Sequence, residues 1–342
     1  LAEQGHSGFY TGAVAERLVD GVREAGGIWT LADLAGYQVK ERAPVVAHYQ
    51  GYRLVTAPPP SSGGVALTQM LNMLSALPPT ERGSVQRVHQ LIEVMRRAYR
   101  DRARHLGDSD FVDVPMARLT DPNYAYGLVA NLRHDRATPS VPFQDERAKG
   151  SDTTHFSVLD RDGNRVAATL SINYPFGSGF VPPGTGVLLN DEMDDFSSKP
   201  GVPNVYGLVG AEANAIAPGK RMLSSMSPTF VEGEERIAIL GTPGGSRIIT
   251  MVLQGILEVV AGSGPQAWVA LPRIHHQYLP DVVQLEPSAL TAKQMLKLKE
   301  KGHELRQLNR TWGNMQAILW DRARGEVSAA SDPRGVGKGI VR

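Results

Sequence analysis

The periodicity of the chain changes at Thr153, and this change constrains the fold more than any other feature of the sequence. Ahead of it, residues 135–152 are rich in charge, contain two prolines and a glycine, and show no regular spacing of apolar side chains. From Thr153 to Leu159 polar and apolar side chains alternate, Asp160–Gly163 supplies a turn, and residues 164–172 alternate again. This pattern predicts a β-hairpin that follows an exposed connector.

The two sides of this boundary carry different secondary-structure signals. Apolar residues at helical spacing dominate the first half, where we predict helices over 12–25, 65–77 and 84–105 and a hairpin over 44–57. The second half predicts strands at 153–159, 164–172, 226–232 and 236–241, with helices at 246–261 and 288–301. A helix-rich half followed by a strand-rich half predicts an α+β fold or a layered sandwich.

Composition excludes several classes of function. The net charge of +1 gives no electrostatic reason to expect a nucleic-acid partner. The absence of cysteine excludes disulfides, thiol nucleophiles and thiolate metal sites. The basic stretch at 96–104 follows an amphipathic helical pattern, which predicts a solvated helix face or one packed against a neighbouring element. The chain starts at Leu1 without a signal-peptide pattern, so we expect it to begin inside a longer product.

Thr153 is a candidate nucleophile. A threonine at a chain N-terminus can use its own α-amino group as the base that takes the hydroxyl proton. Thr153 would gain that position if the Asp152–Thr153 bond were cut, and the connector ahead of it allows a strained turn there. The alternative is structural, because threonine favours pleated strands, and these residues alone leave both interpretations open.

Three other segments carry groups suited to binding a charged substrate. Residues 191–195 hold four carboxylates beside apolar side chains, which indicates either a solvated loop or a partly buried turn needing a cationic partner. LSSMSPT (223–229) offers adjacent hydroxyls, and GTPGGSR (241–247) offers two unobstructed N–H groups for an oxyanion or an ordinary turn. His275-His276 lacks an acidic or histidine partner at ligand spacing, so we expect structural hydrogen bonds there and no metal.

Taken together and in this order, these segments resemble the gamma-glutamyltranspeptidase family, and the resemblance extends over essentially the whole chain. The matching strings are ERAPV (41–45), PPPSSGG (58–64), TTHFSV (153–158), FGSG (176–179), LLNDEMDDFSSKPGVPNVYGLVG (188–210), KRMLSSMSPT (220–229), GTPGGSRIIT (241–250), PRIHHQ (272–277) and ASDPRG (330–335).

The resemblance implies a four-layer αββα sandwich of the N-terminal nucleophile hydrolase type. It further implies self-cleavage at Asp152–Thr153, with 1–152 the C-terminal part of a large subunit and 153–342 a small catalytic subunit, both within one intertwined domain. The implied substrates are glutathione and other γ-glutamyl compounds, and the implied acceptors are water, amino acids and dipeptides. No cofactor is implied, and family members are commonly periplasmic or secreted.

The resemblance also implies a role for each matched residue. Thr153 corresponds to the nucleophile, Ser171 to the hydroxyl bonded to it, and Gly244 with Gly245 to the oxyanion hole. The residues implied to bind the γ-glutamyl group are Asn173, Glu192 and Asp195 at its amino group, Ser224 and Ser225 at its α-carboxylate, and Tyr206 in a lid.

One departure from the family pattern bears on activity. Family members carry a segment ahead of the point where this chain begins, and an arginine within it pairs with the substrate α-carboxylate. No residue here matches that arginine, and losing such a charge-assisted contact costs about 1.5–3 kcal/mol. The missing arginine favours one alternative to the main interpretation, an unprocessed, inactive fragment or scaffold. A second alternative is an acylase acting on glutaryl-substituted β-lactams, whose substrate lacks the amino group that Glu192 and Asp195 are implied to bind.

Overall fold

The structure is a computed structural model and describes residues 1–141, 153–197, 199, 201–202, 204 and 207–342. The α-helices are α1 Ser7–Tyr10, α2 Gly12–Glu24, α3 Leu31–Ala35, α4 Gly63–Ala76, α5 Val85–His105, α6 Met116–Leu119, α7 Pro122–Val129, α8 Ile248–Val260, α9 Pro265–Ala270 and α10 Ala292–Glu300. The strands are β1 Val45–Tyr49, β2 Tyr52–Thr56, β3 Thr153–Leu159, β4 Arg165–Ser171, β5 Thr229–Glu232, β6 Arg236–Gly241, β7 Ile274–His275, β8 Val283–Leu285, β9 Leu305–Gln307, β10 Gln316–Asp321 and β11 Glu326–Ser331. Short 3₁₀ turns cover Glu192–Asp195, Glu212–Asn214 and Gly245–Arg247.

The chain divides by its contacts into two units, of which the smaller comprises Leu1–Ala43 and Ile172–Glu192. Within it, Arg17 donates to the Gly184 carbonyl at 3.2 Å. Gly21 of α2 packs so closely on Pro182 that a Cβ at position 21 would lie 2.8 Å from the proline Cβ. Close packing of α2 on the second segment therefore holds this unit together.

The larger unit comprises Pro44–Ser171 and Met193–Arg342 and is built on a six-stranded antiparallel sheet of order β1-β2-β5-β6-β10-β11. Strand β6 shows how its two faces are used. Leu240 contacts Gly255 of α8 on one side, whereas Gly241 lies against the His155 ring of β3 on the other. Helices therefore cover one face and the β3–β4 hairpin covers the other, which is the α-β-β succession of the predicted sandwich.

Most strongly patterned elements match their predictions. The hairpins over 44–57 and 153–172 are confirmed, and the helices predicted at 12–25, 65–77, 84–105 and 246–261 are present with small changes in their bounds. Strands β10 and β11 were not predicted from the sequence. Strand β11 reads EVSAAS, whose small side chains provide little alternation of bulky apolar groups, and its place is set by pairing with β10.

The predicted connector begins later than residue 135. Thr138 N donates to Glu93 Oε1 at 3.1 Å, and Ser140 N donates to Asp281 Oδ2 at 2.7 Å. Ala137 N donates to the Lys301 carbonyl at 2.6 Å. Polar contacts thus fix the segment up to 141 within the larger unit, and such contacts cannot be predicted from the spacing of apolar residues. Residues 142–152 lie outside the described part.

The contact units differ from the predicted subunits. Both units contain residues from each side of position 152, so the contact division does not follow the predicted cleavage boundary. That boundary concerns a backbone bond and stays a prediction. Among the described residues, no helix combines the length and apolarity needed to cross a bilayer.

Candidate active site

Thr153 and Ser171 stand opposite each other at the open end of the hairpin. They are register partners at the first position of β3 and the last position of β4, and their hydroxyl oxygens are 3.2 Å apart. Thr153 is half-buried and lines a cavity of about 330 Å³. The hydroxyl pair expected from the sequence is therefore assembled at the edge of a space large enough for a small substrate group.

The glycine turn lies between β6 and α8. Gly244 and Gly245 have φ angles of +144° and +55°, a region that favours glycine. A Cβ on Gly244 would lie 2.4 Å from the Met251 Cε, so a side chain cannot be accommodated there without movement. Within the described part of the chain neither amide N–H has a hydrogen-bond acceptor, and Gly244 lines the same cavity as Thr153. Such preoriented N–H groups are what an oxyanion requires.

The predicted carboxylate-binding serines lie on a segment that pairs with the PPPSSGG motif. Ser224 N donates to the Pro60 carbonyl at 2.8 Å, and Ser62 N donates to the Ser224 carbonyl at 2.8 Å. The Ser224 hydroxyl accepts from Met226 N at 2.9 Å. Since the hydroxyl oxygen is the acceptor in that bond, its proton remains available to a substrate carboxylate.

Arg102 connects this serine segment to the acidic turn. Its guanidinium donates to Ser62 Oγ at 2.9 Å and to Ser225 Oγ at 3.2 Å. Burial lowers the pKa of Arg102, while the nearby charge of Asp195 acts in the opposite direction. Arg102 and Asp195 line one narrow recess, so the groups predicted to recognise opposite ends of an amino-acid substrate lie close to the same buried cation.

Asn214 links the same two segments. Its Nδ2 donates to the Asp195 carbonyl at 2.8 Å, and its Oδ1 accepts from Leu223 N at 2.9 Å. Asn214 is buried, so both bonds are protected from water. The turn that carries Asp195 is therefore tied to the residue that directly precedes the serine pair.

The helical pattern at 96–104 did not predict a place for Arg102 in the site. Of the two alternatives predicted there, a solvated face or one packed against a neighbouring element, the packed one holds for Arg96, Arg97 and Arg102, which are each at most 5% exposed. A signal was available, because Arg102 continues the buried stripe Val88, Ile92, Met95, Tyr99 at the same three- and four-residue steps. An arginine on an apolar helical stripe predicts a buried cation with polar partners.

The smaller unit carries two of the predicted site residues. Asn173 is buried at φ +69°, and its Nδ2 donates to the Asp191 carbonyl at 3.1 Å. Glu192 N donates to Asn190 Oδ1 at 3.0 Å. The structure thus fixes both residues locally, and their contact with the substrate amino group stays a prediction. Tyr206 and Asp152 lie outside the described residues.

The paired histidines form structural hydrogen bonds, as predicted. His275 bonds through Nδ1 to Thr250 Oγ1 and through Nε2 to Gln277 Oε1, both at 2.8 Å. His276 Nε2 lies 3.0 Å from Asp281 Oδ1. Burial lowers the pKa of His276 to about 4, so its ring is neutral at pH 7.

A different cluster has the composition of a metal site, namely His89, Glu93 and His303, with candidate ligand atoms within 4.8 Å of one another. His89 Nδ1 and His303 Nε2 are already hydrogen-bonded to each other at 2.7 Å. The Glu93 carboxylate accepts from Arg97 at 2.6 Å. Because these donors are engaged with one another and an arginine charge lies beside the carboxylate, the cluster fits a hydrogen-bond network better than a cation site.

This α+β arrangement, with a threonine at the start of an inner strand, defines the class of N-terminal nucleophile hydrolases. Comparison with known proteins specifies the family. The model of the family described as gamma-glutamyltranspeptidase matches residues 1–341, and the chain belongs to that family.

Relatives and solved structures agree with this assignment. The chain is similar to glutathione hydrolase proenzymes of Pseudomonas sp. strain A14, at 48% identity over 85% of this chain and 52% of the relative, and of Pseudomonas aeruginosa, at 44% identity over 100% and 62%. A crystal structure of cephalosporin acylase from Bacillus halodurans superposes with a TM-score of 0.84 at 25% identity, covering 99% of this chain and 60% of that one. The chain therefore spans about half to three-fifths of the length of these proteins.

Proposed function

We propose that this protein cleaves the γ-glutamyl amide bond of glutathione and related compounds through a covalent ester on Thr153. The observation that carries the proposal is the placement of the Thr153 hydroxyl, 3.2 Å from Ser171 Oγ, in a cavity that Gly244 also lines. The names of the two Pseudomonas relatives, glutathione hydrolase proenzyme, support both the substrate and a precursor that matures by cleavage.

The chemistry follows from a free N-terminus at Thr153. Its α-amino group, whose ordinary pKa is about 8, takes the hydroxyl proton while Oγ1 attacks the γ-carbonyl carbon. The N–H groups of Gly244 and Gly245 stabilise the tetrahedral oxyanion, and the amine leaves with the transferred proton. Water then hydrolyses the ester, or the amino group of an amino acid or dipeptide attacks it, and either reaction restores the Thr153 hydroxyl.

The same hydroxyl is proposed to cut the precursor. Attack of Thr153 Oγ1 on the Asp152 carbonyl carbon would transfer the acyl group from nitrogen to oxygen, and water would open that ester. The products would be two polypeptides that remain together as a large and small subunit. Their shared sheet supports this, because β5 and β6 of the second polypeptide pair within one sheet with β1 and β2 of the first.

Substitution of the nucleophile tests the proposal. We predict that Thr153→Ala abolishes both self-cleavage and release of the amine from γ-glutamyl-p-nitroanilide, because the attacking oxygen is lost. Denatured intact mass should show two species for the unaltered protein and one species of 37.0 kDa for the variant. Thr154→Ala is the matched control, since Thr154 is adjacent but exposed. An active or cleaved Thr153→Ala protein contradicts the assignment, and an uncleaved, inactive parent protein favours the scaffold alternative.

Structural similarity to a cephalosporin acylase supports a second candidate, an acylase for glutaryl-substituted β-lactams. Its substrate lacks the α-amino group, so the presence of Glu192 and Asp195, the carboxylates predicted to bind that group, favours the γ-glutamyl substrate. Rates on γ-glutamyl and glutaryl anilides separate the two. Faster turnover of the glutaryl compound would replace the first proposal with the second.

A further inference from the structure

The described lining of the cavity beside Thr153 is rich in arginine, and a neutral leaving group gives no reason for that positive charge. Among the residues that the structure describes, the arginines that line it are Arg247, Arg310 and Arg334. Arg334 is neutralised within the protein, because it pairs with Glu286 at 2.6 Å and with Asp332 at 3.0 Å. The charges of Arg247 and Arg310 need a separate explanation.

Arg247 and Arg310 have no acidic partner among the residues that the structure describes. Arg247 is half-buried; its Nε donates to the neutral Gln284 Oε1 at 2.8 Å, and its guanidinium lies 5.3 Å from the centre of the Trp312 ring. Burial and the charge of Arg310 lower the pKa of Arg247 to about 10, so the Arg247 guanidinium remains cationic at neutral pH. Two like charges facing one partly desolvated cavity favour an anion between them.

The segment that carries Arg310 is held in place. Trp312 N donates to Glu286 Oε1 at 2.8 Å, and Asn314 N donates to Thr242 Oγ1 at 3.1 Å. Arg310 itself is exposed at the cavity and can reach an incoming group. Its backbone position is thus fixed while its side chain stays free to adapt.

The position of the glutamyl group indicates which part of the substrate meets these arginines. Asp195 and Arg102 line a separate recess, and Arg102 contacts Ser225, one of the predicted glutamyl-binding serines. Neither Asp195 nor Ser225 is among the described residues that line the arginine cavity, whereas Thr153 is. The cavity therefore suits the part of the substrate on the other side of the bond that Thr153 attacks, which is the leaving amine. In glutathione that amine is a dipeptide with a free terminal carboxylate.

We propose that Arg310, together with Arg247, binds the terminal carboxylate of a peptide leaving group, and that the same subsite receives the carboxylate of a dipeptide acceptor. This inference rests on the proposed function and deepens it by naming peptides with a free C-terminus as the favoured class. Guanidinium groups suit this task because they present paired N–H donors to a carboxylate. Anilides and peptide amides lack the carboxylate and do not gain this contact.

The test compares three substrates: glutathione, glutathione whose glycine carboxylate is an amide, and γ-glutamyl-p-nitroanilide. We expect the unaltered protein to favour the free acid over the amide in kcat/KM. In Arg310→Gln this preference should fall about 3- to 10-fold, the range expected for a partly exposed ion pair. Arg324→Gln is the matched control, because that side chain is 73% exposed and does not line this cavity, and it should keep the full preference.

A second measurement needs no variant. Because exposed charge pairs are screened by salt, the preference of the unaltered protein for the free acid should shrink in 1 M NaCl, roughly tenfold above ordinary ionic strength. An unaltered protein that turns over acid and amide equally well overturns the inference and leaves the proposed function intact. So does an Arg310→Gln variant that keeps the parent preference. If the protein turns over none of the three substrates, that result contradicts the proposed function, and the inference about Arg310 falls with it.

Discussion

At the scale of single residues, the pairing of Thr153 with Ser171 depends on strand register. The two residues meet because β3 and β4 pair from Thr153↔Ser171 through to Leu159↔Arg165 without a bulge. A slip of one residue would turn Ser171 to the opposite face of the hairpin. The tight turn at Asp160–Gly163, where Asp160 Oδ1 accepts from Asn164 N at 2.8 Å, fixes that register.

A prediction at this scale concerns Ser171. Removing its hydroxyl in Ser171→Ala should lower kcat about 3- to 10-fold, because a neutral hydrogen bond contributes roughly 0.5–1.5 kcal/mol to orienting the nucleophile. Ser171→Thr keeps a hydroxyl and should retain most of the activity. The measurement is steady-state turnover of γ-glutamyl-p-nitroanilide by protein that has already been cleaved. Equal kcat values for the alanine variant and the parent would show that the 3.2 Å contact has no part in catalysis.

At the scale of secondary-structure elements, α5 both packs into the hydrophobic core and carries buried charges that contact the candidate active site. Its buried stripe packs into the main hydrophobic core through Val88, Ile92 and Met95. The same helix carries buried charges that reach other elements, including Glu93, which accepts from the Thr138 backbone N–H, and Arg102, which donates to Ser225. Such charges are tolerated in a core because each has polar partners. The same contacts fix the position of the helix relative to the candidate active site.

We predict that Arg102→Lys raises KM for γ-glutamyl substrates about tenfold, with a smaller change in kcat. Lysine keeps the charge but cannot donate to Ser62 and Ser225 through a planar fork, so Ser225 loses a charge-assisted bond. Arg104→Lys is the control, because Arg104 lies on the exposed side of the same helix. A thermal melt confirms that each variant is folded. An unchanged KM in folded Arg102→Lys would rule out a positioning role for this arginine.

At the scale of the whole molecule, several histidines are buried in the neutral form. Burial lowers the pKa of His155 to about 4, of His276 to about 4 and of His303 to about 3. His155 illustrates the cause, since its ring lies against Gly241 and bonds to Thr169 Oγ1 at 2.8 Å and Ser157 Oγ at 3.1 Å. Each ring must stay uncharged while the protein is folded.

This burial predicts that acid destabilises the protein well above the range in which carboxylates titrate. The unfolded chain binds protons on these histidines below its ordinary pKa of 6.5, whereas the folded protein does so only near 4 or below. The stabilising effect is therefore complete above pH 6.5 and is lost as the pH falls toward 4. At pH 5 the free energy of unfolding should be lower by about 2 kcal/mol for each such histidine. Urea unfolding at pH 8, 7, 6 and 5 measures it, and equal stabilities at pH 7 and pH 5 would contradict the prediction.

Local interactions explain what the sequence alone predicted correctly. The β3–β4 hairpin follows from strict alternation around an Asp-rich turn. The helices with regular apolar stripes were likewise predictable within a few residues of their ends. The matched motifs, taken in their order along the chain, were sufficient to indicate the family.

The sequence by itself thus determined the strongly patterned elements and the family, and its assignment of Thr153 as the nucleophile stays a prediction. Only the tertiary structure decided which distant groups meet. It brought Arg102 to Ser225, anchored residues 137–141 by hydrogen bonds and paired β11 with β10. It also placed the arginines in the cavity that Thr153 lines. The physical reason is that turn chemistry and periodicity act over a few residues. Contacts between buried charges join residues far apart in the chain, and these meet only after the sheet, hairpin and helices have packed together.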